Sequence, residues 1–354
     1  MSRRKGLVGA AVGVVAVGAA AGLAAERYAI GRTRLRPDPQ ARQPFFELPA
    51  DRTRTVRTED GVALHVEEVG PASAAVTVVF VHGYTQEMAA WHYQRQALAA
   101  DNPGRLVFYD HRSHGRSGRG SHESATIDQL GRDLETVLDE VVPRGPIVLV
   151  GHSMGGMTIM ALADARPDLF GTRVVGVALL STSTGKLAEL TFGLPTLVRP
   201  LSRRVLPFVT RGMRAQPRHF ERGRRAGTDL AFLLTRFGGF GDRDVSPAVV
   251  QFVEQMGART AVDVIAEFYD TFTTHDKLAA LAVLRAVETL ILVGSKDLLT
   301  PVDHSRAMAE VLVDAHLVVV ERAGHMVQLE RPELVTLQLR ALIGRAVRAT
   351  ARSA

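Results

Sequence analysis

The sequence predicts an α/β fold: a mostly parallel β-sheet with helices on both faces and a helical cap inserted after the sixth strand. Three observations carry this reading. Short runs rich in Val, Ile, Leu and Phe recur at 76–81, 106–109, 147–150, 174–180, 290–293 and 317–320, without polar alternation. Runs of that kind suit strands buried on both faces. Helical stretches lie between them, and strand and helix in regular alternation argue an open parallel sheet covered on both sides. The rhythm breaks once, between Leu180 and Leu290, over a length far beyond one crossover helix.

Taken in order, residues 53–58 and 62–69 alternate polar and apolar around Asp60-Gly61, the pattern of a β-hairpin. Thr126 is placed to cap an amphipathic helix that runs to Val142 and stops at Pro143. The long insert, 186–275, has no clear strand. Its helical stretches are broken at Pro195, Pro200, Pro207, Pro217 and Pro247. Loops at the carboxyl ends of parallel strands sit where ligands bind, so the insert is expected to cap an active site. The expected organisation is a core of 51–185 and 276–354, a cap of 186–275, and an N-terminal segment of 1–50. No internal repeat is present.

The chain has 354 residues, 46% hydrophobic and 23% charged, which suits a folded globular protein. It contains no cysteine, which excludes thiol catalysis, thiolate metal sites and disulfides. The net charge of +6 is concentrated at the start, where residues 1–40 hold seven basic residues against two acidic ones. No basic stripe interleaves with aromatics, so nucleic acid is not an expected partner. Residues 7–25 form an unbroken apolar run after Arg3-Arg4-Lys5. As a helix that run reaches roughly 28 Å, close to a bilayer core. It also fits a secretory or twin-arginine signal, although Gly6 departs from the bulky apolar residue such a signal favours. A membrane-anchored or secreted, extracytoplasmic protein is expected, with 26–50 and its four prolines forming an extended tether.

The chemistry is carried by Gly151-His152-Ser153-Met154-Gly155-Gly156, which follows the strand at 147–150 and precedes a helical stretch at 157–165. A serine hydroxyl attacks a carbonyl only when exposed. A sharp strand-to-helix turn exposes it and excludes side chains at the flanking positions, hence Gly151 and Gly155. Ser153 is therefore the expected nucleophile. A serine needs a base, and the base needs orienting. Of twelve histidines, His325 follows the last strand in Ala323-Gly324-His325-Met326, and Asp297 lies past the preceding strand in Gly294-Ser295-Lys296-Asp297.

These motifs resemble the α/β-hydrolase family, and within it the capped serine esterase, lipase and haloperoxidase-like branch. The resemblance covers 53–185 and 285–345. It includes Val81-His82-Gly83-Tyr84, Asp110-His111-Arg112-Ser113-His114-Gly115-Arg116-Ser117, Pro301, and Gly324-His325 with Glu330-Arg331-Pro332. It implies an oxyanion hole from the backbone N–H groups of Tyr84 and Met154, with His82 and Gly83 bracing that loop. It gives structural roles to His111, His114 and His152. Ser113 stands where the family more often has glycine.

A serine at position 153 argues against the epoxide hydrolases and haloalkane dehalogenases of this fold, which attack with aspartate. The expected activity is hydrolysis of a carboxylic ester through an acyl-Ser153 intermediate, without metal or organic cofactor, on a small-molecule or lipid ester. Thioesterase, amidase, carbon–carbon hydrolase and cofactor-free haloperoxidase chemistry remain open on the same residues. A catalytically silent binding module is the alternative from another class. Phe208, Phe220, Phe232 and Leu233-Leu234 of the cap are candidates to line an acyl pocket, although the plainer and preferred reading is a solvated helical face with a small core. Asp303 and His304 are expected at the surface.

Overall fold

A computed structural model describes residues 38–101, 104–185, 187, 208–226 and 228–353. The strands are β1 (Arg52–Arg57), β2 (Ala63–Val69), β3 (Thr77–Val81), β4 (Arg105–Tyr109), β5 (Ile147–His152), β6 (Val174–Leu180), β7 (Glu288–Gly294) and β8 (His316–Val320). Among the described residues they form one eight-stranded sheet in the order β1-β2-β4-β3-β5-β6-β7-β8. The β1–β2 hairpin turns at Gly61 (φ +85°), and β2 is antiparallel to β4. All other neighbours are parallel. The chain leaves β3 towards β4 on one side and returns as β5 on the other. Loops at such a switch point diverge and leave a crevice beyond the carboxyl ends of the strands.

Helices cover both faces, which is why the strand sequences are apolar without alternation. On one face lie α1 (His92–Asp101) and the C-terminal α9 (Pro332–Ser353). They pack Leu98, Val335, Leu339 and Leu342 against Val78, Phe80, Val148 and Val150. On the other lie α2 (Ile127–Val141), α3 (Met154–Ala165) and α8 (Val302–Val311), against Val79, Val81, Ile147 and Leu149. Thr126 caps α2, its side chain accepting from the Gln129 N–H at 3.1 Å, a contact worth about 1 kcal/mol. Val142 closes the helix just before Pro143.

Among the described residues, the insertion between β6 and β7 is helical. It includes a stretch at 208–215, then α4 (Pro217–Ala226), α5 (Thr228–Gly239), α6 (Pro247–Arg259) and α7 (Val262–Thr274). Pro217 and Pro247, expected as breaks, are first residues of helices, where a missing N–H costs nothing and the fixed φ is already helical. Pro195, Pro200 and Pro207 lie outside the described residues. Helix α7 sits over the start of α3, packing Val264 and Phe268 against Met154 and Met157. It is bolted to the core by Arg119, which pairs with Glu267 at 2.6 Å and Asp263 at 3.2 Å. The Ile127 N–H adds a bond to Thr271 Oγ1 at 3.0 Å.

One expectation is corrected here. Residues 38–49, expected within an extended tether, pack as a strap across α1 and α6. Phe45 stacks on Phe252 at 4.5 Å between ring centroids, and Phe46 meets the same ring edge-on at 4.8 Å. The Asp38 carboxylate accepts from Ser246 Oγ and the Ala248 N–H at the start of α6, while Arg95 donates to the Leu48 and Pro49 carbonyls. Two adjacent aromatics in a proline-rich stretch have more to gain from burial than from solvent. In the insertion Phe208 and Phe220 are exposed, Phe220 lying over Gly212, as the solvated-face reading expects, while Phe232 is buried with Phe240 and Phe252 in a cluster shared with Phe45, Ala90 and Met326. The side chains of 233 and 234 lie outside the described residues. So does the apolar run at 7–25. Among the described residues no helix is long and apolar enough to cross a membrane.

Candidate active site

Strand β5 ends at His152, and α3 begins at Met154. Ser153 between them takes φ +51° and ψ −117°, a conformation that costs a non-glycine residue about 1–3 kcal/mol. The turn is so tight that a Cβ on Gly151 would lie 2.6 Å from the Gly155 backbone, and one on Gly155 would strike the Val81 carbonyl. Gly156 has no more room, its Cβ position lying 2.6 Å from the Thr182 side chain. These three glycines let β5 and α3 approach β3 and the loop after β6. As the first residue of α3, Met154 has an N–H with no acceptor in its own helix, directed to the positive end of the helix dipole.

Asp297 and His325 meet beyond the ends of β7 and β8. His325 Nδ1 donates to Asp297 Oδ2 at 3.0 Å, with Oδ1 at 3.1 Å. The carboxylate is buried and also accepts from the Leu299 N–H (2.9 Å), the Thr300 N–H (2.8 Å) and Thr300 Oγ1 (2.9 Å). Burial pushes the Asp297 pKa up, but the His325 charge, its N–H and the Thr300 donors prevail and hold it below the usual value. With Nδ1 donating to the carboxylate, neutral His325 carries its lone pair on Nε2.

The His325 loop is joined to the serine turn through backbone and side chain. His152 Nε2 donates to the His325 carbonyl at 2.9 Å, and their rings lie 4.9 Å apart. The loop after β3 closes against the same histidine, since a Cβ on Gly83 would lie 2.9 Å from His152 Nδ1. Gln86, buried, accepts from the Gly83 N–H at 3.3 Å and donates to Met326 Sδ at 3.4 Å. The Tyr84 hydroxyl donates to the Ile265 carbonyl of α7, so this loop is tied to the insertion as well. The structure thus gathers Ser153, Asp297, His325, Gly83, Tyr84, Met154, Gly151 and Gly155 at one end of the sheet.

His82, His111 and His114 form a buried group behind the Gly83 turn, with rings 4.5–6.4 Å apart. His82 Nδ1 donates to the Gly83 carbonyl at 2.8 Å, and its Nε2 accepts the His111 N–H at 2.9 Å. Burial first, and then neighbouring positive charge, holds His82 well below its ordinary pKa and brings His111 to about 3 and His114 to about 4. His152 falls to about 3 for the same reason. All four are neutral at pH 7 and brace backbone. Ser113 has φ +64°, which explains the preference for glycine there, and its hydroxyl accepts from the Gly120 N–H at 3.0 Å. Asp303 is exposed as expected, but His304 is half-buried, with Nδ1 2.6 Å from Ser183 Oγ.

Two residues with clear roles were not singled out from sequence, Thr300 and Gln86, and Glu330 was noted only within the Glu330-Arg331-Pro332 motif. Thr300 left a signal, because Asp-x-x-Thr just past a strand is the spacing at which an aspartate collects the N–H and hydroxyl three residues on. Gln86 left none, and the bonds of Glu330 to Gly241 and Asp242, more than eighty residues away, are not readable from its motif. A cavity of about 630 Å³ opens between α4, α6 and α7 next to Thr85, bordered by Arg224, Val253, Arg259 and Ile265. Among the described residues no group of three or more His, Asp or Glu side chains is arranged to hold a metal ion.

Comparison with known proteins agrees with this architecture. The family model described as "Alpha/beta hydrolase family" matches residues 78–336. Lipase LipV of Mycobacterium tuberculosis is 28% identical over 286 residues, which is 80% of this chain and 98% of the lipase. The thermophilic esterase of Thermogutta terrifontis superposes with a TM-score of 0.64 at 24% identity, over 83% of this chain and 99% of the esterase. A bromoperoxidase from Bacillus anthracis gives a TM-score of 0.65 at 19% identity, over 83% and 100% of the two chains. With the family model spanning most of its length and the fold in agreement, the chain belongs to the alpha/beta hydrolase family.

Proposed function

We propose that the protein is a serine hydrolase that cleaves a carboxylic ester through an acyl-Ser153 intermediate. The observation that carries this reading is Ser153 held at positive φ in the β5–α3 turn, with the His325–Asp297 pair joined to that turn through His152. In the reaction, Ser153 Oγ attacks the ester carbonyl while His325 Nε2 takes its proton. The Asp297 carboxylate stabilises the imidazolium that forms. The backbone N–H groups of Tyr84 and Met154 receive the negative charge on the carbonyl oxygen. His325 then protonates the leaving alkoxide, and a water activated by the same imidazole releases the acid and regenerates Ser153.

Ester cleavage is favoured over the other chemistries of the fold by the aligned lipase, which spans nearly its whole length here. A graded series of p-nitrophenyl esters and acylglycerols tests the reading. Turnover of at least one member, lost on Ser153→Ala, is the expected result; a folded enzyme inert to the whole series contradicts ester hydrolysis. We further propose that the 7–25 run carries the chain to a membrane or across it, which its basic start and apolar length support. Carbonate extraction of membranes from cells expressing the full chain distinguishes an anchored from a released form.

A further inference from the structure

The backbone of the proposed base is gripped at three successive positions by three different parts of the molecule. Before it, the Gly324 N–H donates to Glu330 Oε2 at 2.6 Å. At it, the His325 carbonyl accepts from His152 Nε2. After it, the Met326 N–H donates to the Gly239 carbonyl, at the end of α5 in the insertion, at 2.8 Å. Glu330 does more than hold Gly324. Its buried carboxylate also accepts the Gly241 N–H, at 3.0 Å to Oε1, and the Asp242 N–H. One carboxylate therefore collects three backbone donors, one from the base loop and two from the insertion.

The two loops lie backbone against backbone. A Cβ on Gly241 would fall 2.6 Å from the Ala323 carbonyl carbon, and one on Gly324 2.6 Å from the Gly241 nitrogen. No side chain separates them, so neither loop shifts without the other. The Asp242 side chain adds an outer tie, accepting from Arg331 Nη2 at 2.6 Å and pairing with Arg322 at 3.2 Å. A carboxylate bonded to three N–H groups is an anchor with directional, charge-assisted bonds, and it fixes position as well as adding stability.

We infer that Glu330 is a positioning residue that couples the placement of the helical insertion to the placement of His325. This rests on the reading of His325 as the base of a Ser153 hydrolase. A cap displaced at Gly239–Asp242, by substrate or by mutation, drags the Gly324–Met326 backbone and moves the imidazole relative to Ser153. Glu330 itself touches neither substrate nor the reacting atoms.

The test compares the full-length wild type with Glu330→Gln and Glu330→Ala, measuring kcat per fluorophosphonate-titrated site and KM on p-nitrophenyl acetate. Titration counts only competent sites, so a variant that is merely less stable keeps its kcat. The expected result is a loss of about 10- to 100-fold in kcat for Glu330→Ala, the scale of a misplaced catalytic group, with KM nearly unchanged. Glu330→Gln keeps one acceptor oxygen and falls between the two. Should both fail to fold, Arg331→Met leaves the Glu330 carboxylate in place while removing the tie to Asp242 and the bonds to the Glu330 and Arg322 carbonyls, and is expected to lower kcat about three-fold, the scale of a slight misplacement. Labelling of wild-type Ser153 with unchanged kcat per site in the folded variants overturns the coupling alone. A wild type that is not labelled overturns the hydrolase reading and the coupling with it.

Discussion

His152 Nε2 and the carbonyl oxygen of His325 are 2.9 Å apart, so the residue preceding the nucleophile holds the backbone of the base. Buried and neutral, His152 makes this bond without a positive charge that would disfavour the His325 imidazolium. The serine turn and the base loop come from strands β5 and β8, which are not neighbours in the sheet. A single side chain spans the gap. The consequences for stability and activity can be measured separately.

The serine turn is strained, and relieving it should separate stability from function. Ser153→Gly removes the positive-φ penalty and is expected to stabilise the fold by about 1 kcal/mol, or about 2 °C in Tm for a domain of this size. Activity is lost at the same time. Calorimetry on the two proteins checks the sign; a variant less stable than wild type contradicts the strain.

Asp297→Asn preserves shape but cannot stabilise the imidazolium or fix its tautomer. By analogy with other serine hydrolases, a fall in kcat of about 10³- to 10⁴-fold is expected with little change in KM. Steady-state kinetics on a p-nitrophenyl ester decides this. A loss below ten-fold would mean that another group orients His325.

The buried histidines make the fold acid-sensitive. The folded pKa values of about 3 for His111 and His152 and about 4 for His114 lie below the ordinary value near 6.5. Their stabilising contribution is complete above pH ~6.5. It is lost as pH falls towards the folded values, because the unfolded chain binds protons first. Each costs on the order of 1.4 kcal/mol per pH unit in that window. Urea midpoints should therefore fall steadily from pH 6.5 to 4, and His114→Gln should flatten the decline. A constant midpoint across that range contradicts neutral burial.

The strap at 38–49 should stabilise the insertion as well as the core. Phe45→Ala removes a buried ring wedged between Phe252, His92 and Tyr93, and should cost about 3 kcal/mol. Protease digestion at low enzyme ratio is expected to cut α6 sooner in this variant. An unchanged digestion pattern and Tm would show that the strap lies passively on the surface.

Much of the fold was legible because local pattern and tertiary role coincide. The six unbroken apolar runs are strands whose two faces are covered by different helices, as with Ile147 and Leu149 on one side and Val148 and Val150 on the other. Thr126 and Pro143 mark α2 through local hydrogen bonding and local sterics. The parts that were not legible depend on distant partners. Nothing near Glu330 indicates that Gly241 and Asp242 will arrive from the insertion, and nothing near Phe45 names Phe252. Phe208 and Phe220 carry the composition of a pocket lining, yet their helices turn them to solvent. For short helices, packing decides such orientation more than composition does.

The central claim is that Ser153 is the nucleophile, and covalent labelling tests it most directly. Folded full-length protein treated with a fluorophosphonate and digested for peptide mass analysis should carry one adduct, on Ser153, and His325→Ala should slow its formation by orders of magnitude. An unlabelled folded wild type, or an adduct on another residue with Ser153 untouched, would contradict the account.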